Sequence, residues 1–356
     1  MTIVRVPLLT DHELQGAFRY RDLFQLLPPR PDDPRPPVLA AAYGLTLEVD
    51  YDHRVVPERN DDVFAHDIAE RERVKSMRKK AAGRPDQEIE ESWWDADKES
   101  RAMQRGQAVV QKIALLLSVL TNHHFRAAPA AQLWVLNESK TEVEWRQPGY
   151  PSFVPGPTDT LSQVAEQAPT VPHEEYYARG RGRYVDRPEL KVPGSLTESL
   201  DRYFALSEPR QLGFARAVRL IGHGSDVLPL SRSLSLAAAV IAVDTLVHLD
   251  DPELETCPEC SALLSDESCD RCGAPRFRLT SRFREFVDAL LGDAELASHL
   301  YRARSDLVHR GVPLRSDEYD SGFSIGENDS QFGLEFGAVA AARAVLLNWL
   351  WSQSQD

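Results

Sequence analysis

The sequence predicts an α+β protein in three parts. These are a mixed α/β N-terminal domain over residues 1–150, a proline-rich connector over 151–195, and a C-terminal α-helical bundle over 196–356 with a cysteine-rich insert at 257–272. Three observations carry this. Strand-like runs alternate with one apolar helix in the first part, a helical period holds from Ser195 onward, and all four cysteines crowd into sixteen positions between two helical runs. A length of 356 residues with 42% hydrophobic content suits two domains with real cores.

Composition narrows the class. Nineteen glycines without a period exclude collagen-like chains, and the apolar content excludes disorder over the whole length. A net charge of -14 counts against a bulk DNA-coating protein, so a nucleic acid would have to be met by a local basic patch. Asp11 and Glu13 interrupt the N-terminal run before an export signal could form. The longest apolar stretch, 234–243, is closed by Asp244 well short of the roughly 18 residues a bilayer span requires. A cytoplasmic protein with no membrane partner is expected.

The elements follow in order. Residues 28–37 hold prolines too dense for helix or inner strand, so they form a stiff loop. Tyr43, Leu45, Leu47 and Val49 alternate with smaller or polar residues and place a half-buried strand within 38–49. A charged helix is expected over about 61–80, and a buried one over 107–125, where Val110, Ile113, Leu116, Leu117 and Leu120 keep helical spacing. Runs at 131–136 and 142–146 read as two strands joined by a polar turn at Asn137. Eight prolines between 148 and 195 mark the connector. Ser195 and Glu198 resemble a capping box opening the helical part. Helices are then expected over 208–221, 230–249, 280–291 and from Leu296 onward. A final helix uses Phe332, Phe336, Val339 and Leu346.

Cys257, Cys260, Cys269 and Cys272 form two CxxC pairs eight residues apart. Each CxxC turn presents two thiolates to one point, and four thiolates satisfy tetrahedral Zn²⁺ at about 2.3 Å. The expected cofactor is therefore a structural zinc in a compact knuckle, with two disulfides or a redox pair as the competing readings. The knuckle either clips the loop between two helices or reads nucleic acid. Arg271 and Arg276 are placed to offset the negative charge of a four-thiolate site.

Leu296, Leu300, Ala303 and Leu307 fall within about 60° of arc and define the buried face of their helix. Tyr301, Arg304, Ser305, Val308 and His309 lie on a different face, and Arg302, Asp306 and Arg310 make an ion-pairing stripe. The pattern Tyr301-x-x-Arg304-Ser305-x-x-Val308-His309, on the penultimate helix, resembles the R-x4-H motif of HEPN domains, specifically the ApeA-like group of bacterial anti-phage proteins. The apolar run 237–243 ending in Asp244 and Leu246 resembles that group's alanine-rich helix, with Asp where Glu is usual. Arg310 stands where a second histidine is common. The likeness covers about residues 196–352.

The resemblance implies a HEPN-like bundle and a metal-independent endoribonuclease whose site is completed by homodimerisation. Such an enzyme acts in abortive infection or as a toxin. His309 would move the proton of a ribose 2′-OH or of the leaving oxygen, and Arg304 would hold the developing phosphorane charge. The products would be a 2′,3′-cyclic phosphate and a 5′-OH from single-stranded or tRNA-like RNA. Ser305 would orient phosphate. Asp306 would assist Arg304 or simply belong to the ion-pair stripe, and Tyr301 would stack on a base or pack at the dimer seam. No metal is expected in catalysis. The N-terminal domain would sense a phage or host trigger. The alternatives are a non-catalytic HEPN scaffold that dimerises or binds RNA or nucleotide, and a zinc-knuckle nucleic-acid-binding regulator.

Other features have two readings each. Arg179, Arg181, Arg183 and Tyr184 suit single-stranded nucleic acid or a solvated linker. Arg78, Lys79 and Lys80 make a basic run flanked by acids. His123 and His124 end a buried helix without an acidic or cysteine partner at ligand spacing. Trp93 and Trp94 lie among acids as a partner patch or an anchor. Phosphate-loop, serine-hydrolase and zincin motifs are absent.

Overall fold

The computed structural model describes residues 3–28, 43–50, 109–127, 134–136, 143–146, 154–155, 160–164, 166–178, 189–249, 257, 259–260, 269, 271–273, 279–314, 317 and 330–353. All but the first residue of the expected loop at 28–37, the helix over 61–80, Trp93 and Trp94, and the Arg179 to Tyr184 run lie outside the described residues. The architecture is mixed α/β: a small antiparallel sheet, then a helical C-terminal part. It divides into two compact units, Met1–Ala114 with Phe125–Pro169, and Leu115–His124 with Thr170–Asp356.

The strands are β1 (Ile3–Thr10), β2 (Glu13–Leu14), β3 (Phe18–Tyr20), β4 (Phe24–Leu27), β5 (Tyr43–Asp50), β6 (Arg126–Ala127), β7 (Trp134–Leu136), β8 (Val143–Arg146), β9 (Val154–Pro155), β10 (Thr170–Val171), β11 (Glu189–Leu190) and β12 (Val192–Pro193). The helices are α1 (Val109–Leu120), α2 (His173–Ala178), α3 (Leu196–Ala205), α4 (Glu208–Val227), α5 (Arg232–Leu249), α6 (Leu279–Leu291), α7 (Ala294–Arg310) and α8 (Ser330–Ser352).

In the first unit the sheet runs β3-β4-β5-β1-β6, with β9 also on β1. The alternation at 43–49 is a strand as expected, yet it is not half-solvated. Leu45, Leu47 and Val49 are buried, and so are Thr46 and Glu48 on the other face. Glu48 is tolerated there because it is saturated with donors: Gln25 Nε2 at 2.7 Å, the Ser162 amide at 2.9 Å and Ser162 Oγ at 2.7 Å. The strands expected near 131–136 and 142–146 pair antiparallel as β7 and β8. The stretch read as a connector carries β9 to β12 and α2, with β10 parallel to β12.

In the second unit α5 packs against α4, α6, α7 and α8. Its apolar composition follows from that place, since a helix covered on several sides needs no polar stripe. Among the described residues this is the one helix long and apolar enough, by length and composition, to cross a membrane. Phe214 of α4 stacks on Trp349 of α8 at 5.7 Å, and Tyr203 of α3 adds its ring 5.6 Å from Phe214.

The helix expected to begin with a capping box does begin there, but without the box. Ser195 makes no side-chain cap bond; its Oγ meets His173 Nδ1 at 2.6 Å, while Glu198 pairs with Arg202 at 3.0 Å. A partner offered by α2 outcompetes the local bond.

Candidate functional site

Asp293 opens α7 by accepting the Leu296 amide at 2.9 Å, and Gly311 closes it at φ 64, a conformation that a side chain would strain. Those two ends set the phase of the helix. Ala297 and Leu300 are its buried residues, with Leu296, Ala303 and Leu307 half-buried beside them. The apolar face is therefore turned slightly from the expected one. Arg304 is carried to the seam with α5.

There Arg304 Nη2 stands 3.5 Å from Asp244 Oδ2, with the two side chains 24% and 22% exposed. That separation is an ion pair but exceeds hydrogen-bonding distance. Arg304 Nε is buried and has no hydrogen-bond acceptor among the described residues. Burial lifts the Asp244 carboxyl above its usual range, against the pull of Arg304 and then of His248. His248, one turn further along α5, is exposed and its Nδ1 lies 2.7 Å from the Asp244 carbonyl oxygen.

Tyr301 packs on the buried ring of Phe283 at 5.6 Å. The guanidinium carbons of Arg284 and Arg304 lie 5.8 and 6.0 Å from its ring centre. His309 sits exposed in the last turn, five residues beyond Arg304. Five residues amount to about 140° of rotation and about 7.5 Å of rise, so the helix itself does not bring the two side chains together. Ser305 is half-buried. Asp306 accepts Arg310 Nη1 at 2.8 Å, the ion-pair stripe expected from the spacing.

The four cysteines converge. Their sulfurs all lie within 4.8 Å of one another, with Cys257 Sγ 3.6 Å from Cys272 Sγ and Cys260 Sγ 3.5 Å from Cys269 Sγ. A disulfide would close these to about 2.05 Å, and none is formed. Four sulfurs at about 2.3 Å from a shared ion would be about 3.8 Å apart, close to what is seen. Backbone hydrogen bonds from Cys272 and Arg271 bring the Cys269 thiol down to about 7, toward the thiolate that a metal requires. Gly273, at φ 70, donates to the Cys269 carbonyl at 2.8 Å and closes the second CxxC turn. These four residues form a site able to hold a metal ion.

Sequence reasoning missed three participants. Asp244 was read as the end of an apolar run and as the acid of the alanine-rich helix in the resemblance, but not as a partner of Arg304, although a lone acid in such a run signals a buried partner. His248 is readable as the residue four places beyond it, and Arg284 carries no local signal. His124 also gains an acid that linear spacing did not supply, Asp226 of α4 at 3.1 Å. Comparison with protein-family models, with curated proteins and with solved structures returns no match.

Proposed function

We propose that this protein is an endoribonuclease of HEPN type, cleaving RNA by attack of a ribose 2′-OH on the adjacent phosphate, without a catalytic metal. One observation carries the reading: Arg304 is only partly buried and holds Asp244 loosely at 3.5 Å, on the same helix as an exposed histidine five residues on. A guanidinium so loosely held is suited to a phosphate, and more so to the charge that develops on a phosphorane. His309 supplies the proton transfer, with products carrying 2′,3′-cyclic phosphate and 5′-OH ends. Ser305 and Tyr301 lie on the same stretch of α7, and Tyr301 gathers two arginines into a local cationic patch on an acidic chain.

The homodimer belongs to this proposal, each protomer contributing its Arg304 and His309, as does a role in bacterial anti-phage defence triggered through the first unit. The metal of the cysteine site is zinc, because four thiolates in compact turns suit its tetrahedral preference. Its role is to clip the segment between α5 and α6.

The test is cleavage of labelled single-stranded RNA and tRNA in the presence of EDTA, with zinc content and dimerisation checked for each protein. Arg304→Ala and His309→Ala are each expected to reduce cleavage by about 10²-fold or more. Wild-type protein that binds RNA but never cleaves it would make the fold a scaffold.

A further inference from the structure

We propose that His248 is a second proton-transfer group of the Arg304 site: it protonates the leaving 5′-oxygen while His309 takes the proton of the attacking 2′-hydroxyl. The assignment rests on the endoribonuclease reading. It begins from how α5 and α7 lie together. Arg304 meets Asp244, and ten residues later the Leu314 amide donates to Ser233 Oγ at 2.8 Å, so the two helices run antiparallel. Moving from Arg304 to His309 leads toward the start of α5, and moving from Asp244 to His248 leads the other way. His309 lies about 7.5 Å along α7 on one side of the ion pair, and His248 about 6 Å along α5 on the other. Along the helix axes the two histidines therefore lie on opposite sides of the guanidinium, His248 about 40° around α5 from Asp244 and His309 about 140° around α7 from Arg304. A phosphate held by that guanidinium needs a base on its 2′-oxygen side and an acid on its 5′-oxygen side.

The ring of His248 is set for the acid role. The Asp244 carbonyl can only accept, so Nδ1 carries the hydrogen of that 2.7 Å bond and Nε2 is the nitrogen left for exchange with a substrate. The Asp244 carboxyl group, which interacts electrostatically with both His248 and Arg304, provides the counter-charge for an imidazolium. His248 is exposed, so a substrate oxygen has access to it. The step balances. The 2′-oxygen bonds to phosphorus as its proton passes to His309. The bond from phosphorus to the 5′-oxygen breaks, and that oxygen takes the Nε2 proton of His248. Neutral His248 keeps its Nδ1 hydrogen and recovers the other from water.

The experiment uses the full chain and two RNA oligonucleotides that differ at the mapped cleavage site. One has the natural 5′-oxygen; the other has a bridging 5′-sulfur, whose thiolate leaves without being protonated. His248→Ala is expected to cut the oxygen-linked substrate about 10²-fold or more slowly than wild type, and the sulfur-linked one within about threefold. His309→Ala slows both. A His248→Ala protein that cleaves natural RNA at the wild-type rate overturns the assignment. An equal loss on both linkages also overturns it, making His248 only a helix-end residue. Wild-type protein that cleaves neither substrate overturns the nuclease reading and takes this one with it.

Discussion

Arg304 and Arg310 are six residues apart on one helix and differ in what their guanidinium groups are offered. Arg310 closes a 2.8 Å bond with Asp306 one turn back, at the surface, where such pairs contribute a few tenths of a kcal/mol. Arg304 has only a 3.5 Å pair with a carboxylate, which is why the proposed phosphate is placed there. A carboxylate does comparable service at the start of α5. Asp317 accepts the amides of Arg232 and Ser233 at 3.0 and 2.9 Å, and Ser231 Oγ takes the amide of Leu234 at 3.2 Å. The opening N–H groups of the central helix thus have partners. Burial pushes the Asp317 carboxyl up, but the bonds from Ser231, Ser233 and Arg232 together hold it below its ordinary value. A depressed carboxylate stabilises the fold fully above its unfolded value, near 3.9, and loses that contribution as pH falls through the lower folded value. Asp317→Ala is expected to cost about 1 kcal/mol at pH 7. Its deficit shrinks below about pH 4, as chemical denaturation of both proteins at pH 7 and pH 3 would register. A deficit unchanged at pH 3 would mean the ionised carboxylate is not what caps α5.

At the scale of elements, the cysteine site lies in sequence between α5 and α6, and with the proposed zinc bound it would act as a cross-link. Closing a loop of some fifteen residues stabilises by about 3 kcal/mol. For a unit of this size that corresponds to about 6–12 °C in the thermal midpoint. Metal removal, or Cys269→Ser, is expected to lower the midpoint by that amount while helical circular dichroism at 25 °C is largely kept. Bound zinc should fall from one per chain to none. A midpoint indifferent to zinc would leave the knuckle outside the fold's stability and free for a binding role. The elements show what a single sequence makes legible. Period and spacing placed α4, α5, α6 and the cysteine turns, because burial and metal geometry leave a repeating mark on the chain. Partner choice left none. Ser195 looked like a cap and serves His173, and the polar residues of β5 looked solvated and are buried with Glu48 satisfied from Gln25 and Ser162. Arg304 was legible through its motif, but its pairing with Asp244 depends on how two helices sixty residues apart come to lie side by side.

For the whole molecule, the second unit leaves an apolar face at the same seam. Leu234 and Ile241 of α5 are 59% and 41% exposed and share a stripe with Asp244. Val308 of α7 is 51% exposed and continues from Arg304, with Val312 at 43% just beyond the helix. Large aliphatic side chains scattered singly over a surface need no explanation, but Leu234, Ile241 and Val308 fall on adjacent antiparallel helices around one ion pair, with Val312 just past the end of the second. A two-fold axis through such a patch would set like against like, burying aliphatic surface around the edges and gathering both copies of Arg304 and His309 at one seam. Homodimerisation through this face is therefore expected to give a particle of twice the 40.0 kDa chain mass by light scattering. Ile241→Glu with Val308→Glu would place four extra carboxylates in the seam and return the protein to monomers, since unpaired charges there cannot be desolvated cheaply. Because the proposed cleavage needs residues from both chains, the monomeric double variant should lose RNA cleavage while keeping its helical content and zinc. Full activity in a monomer would show that Arg304, His309 and His248 suffice within one chain.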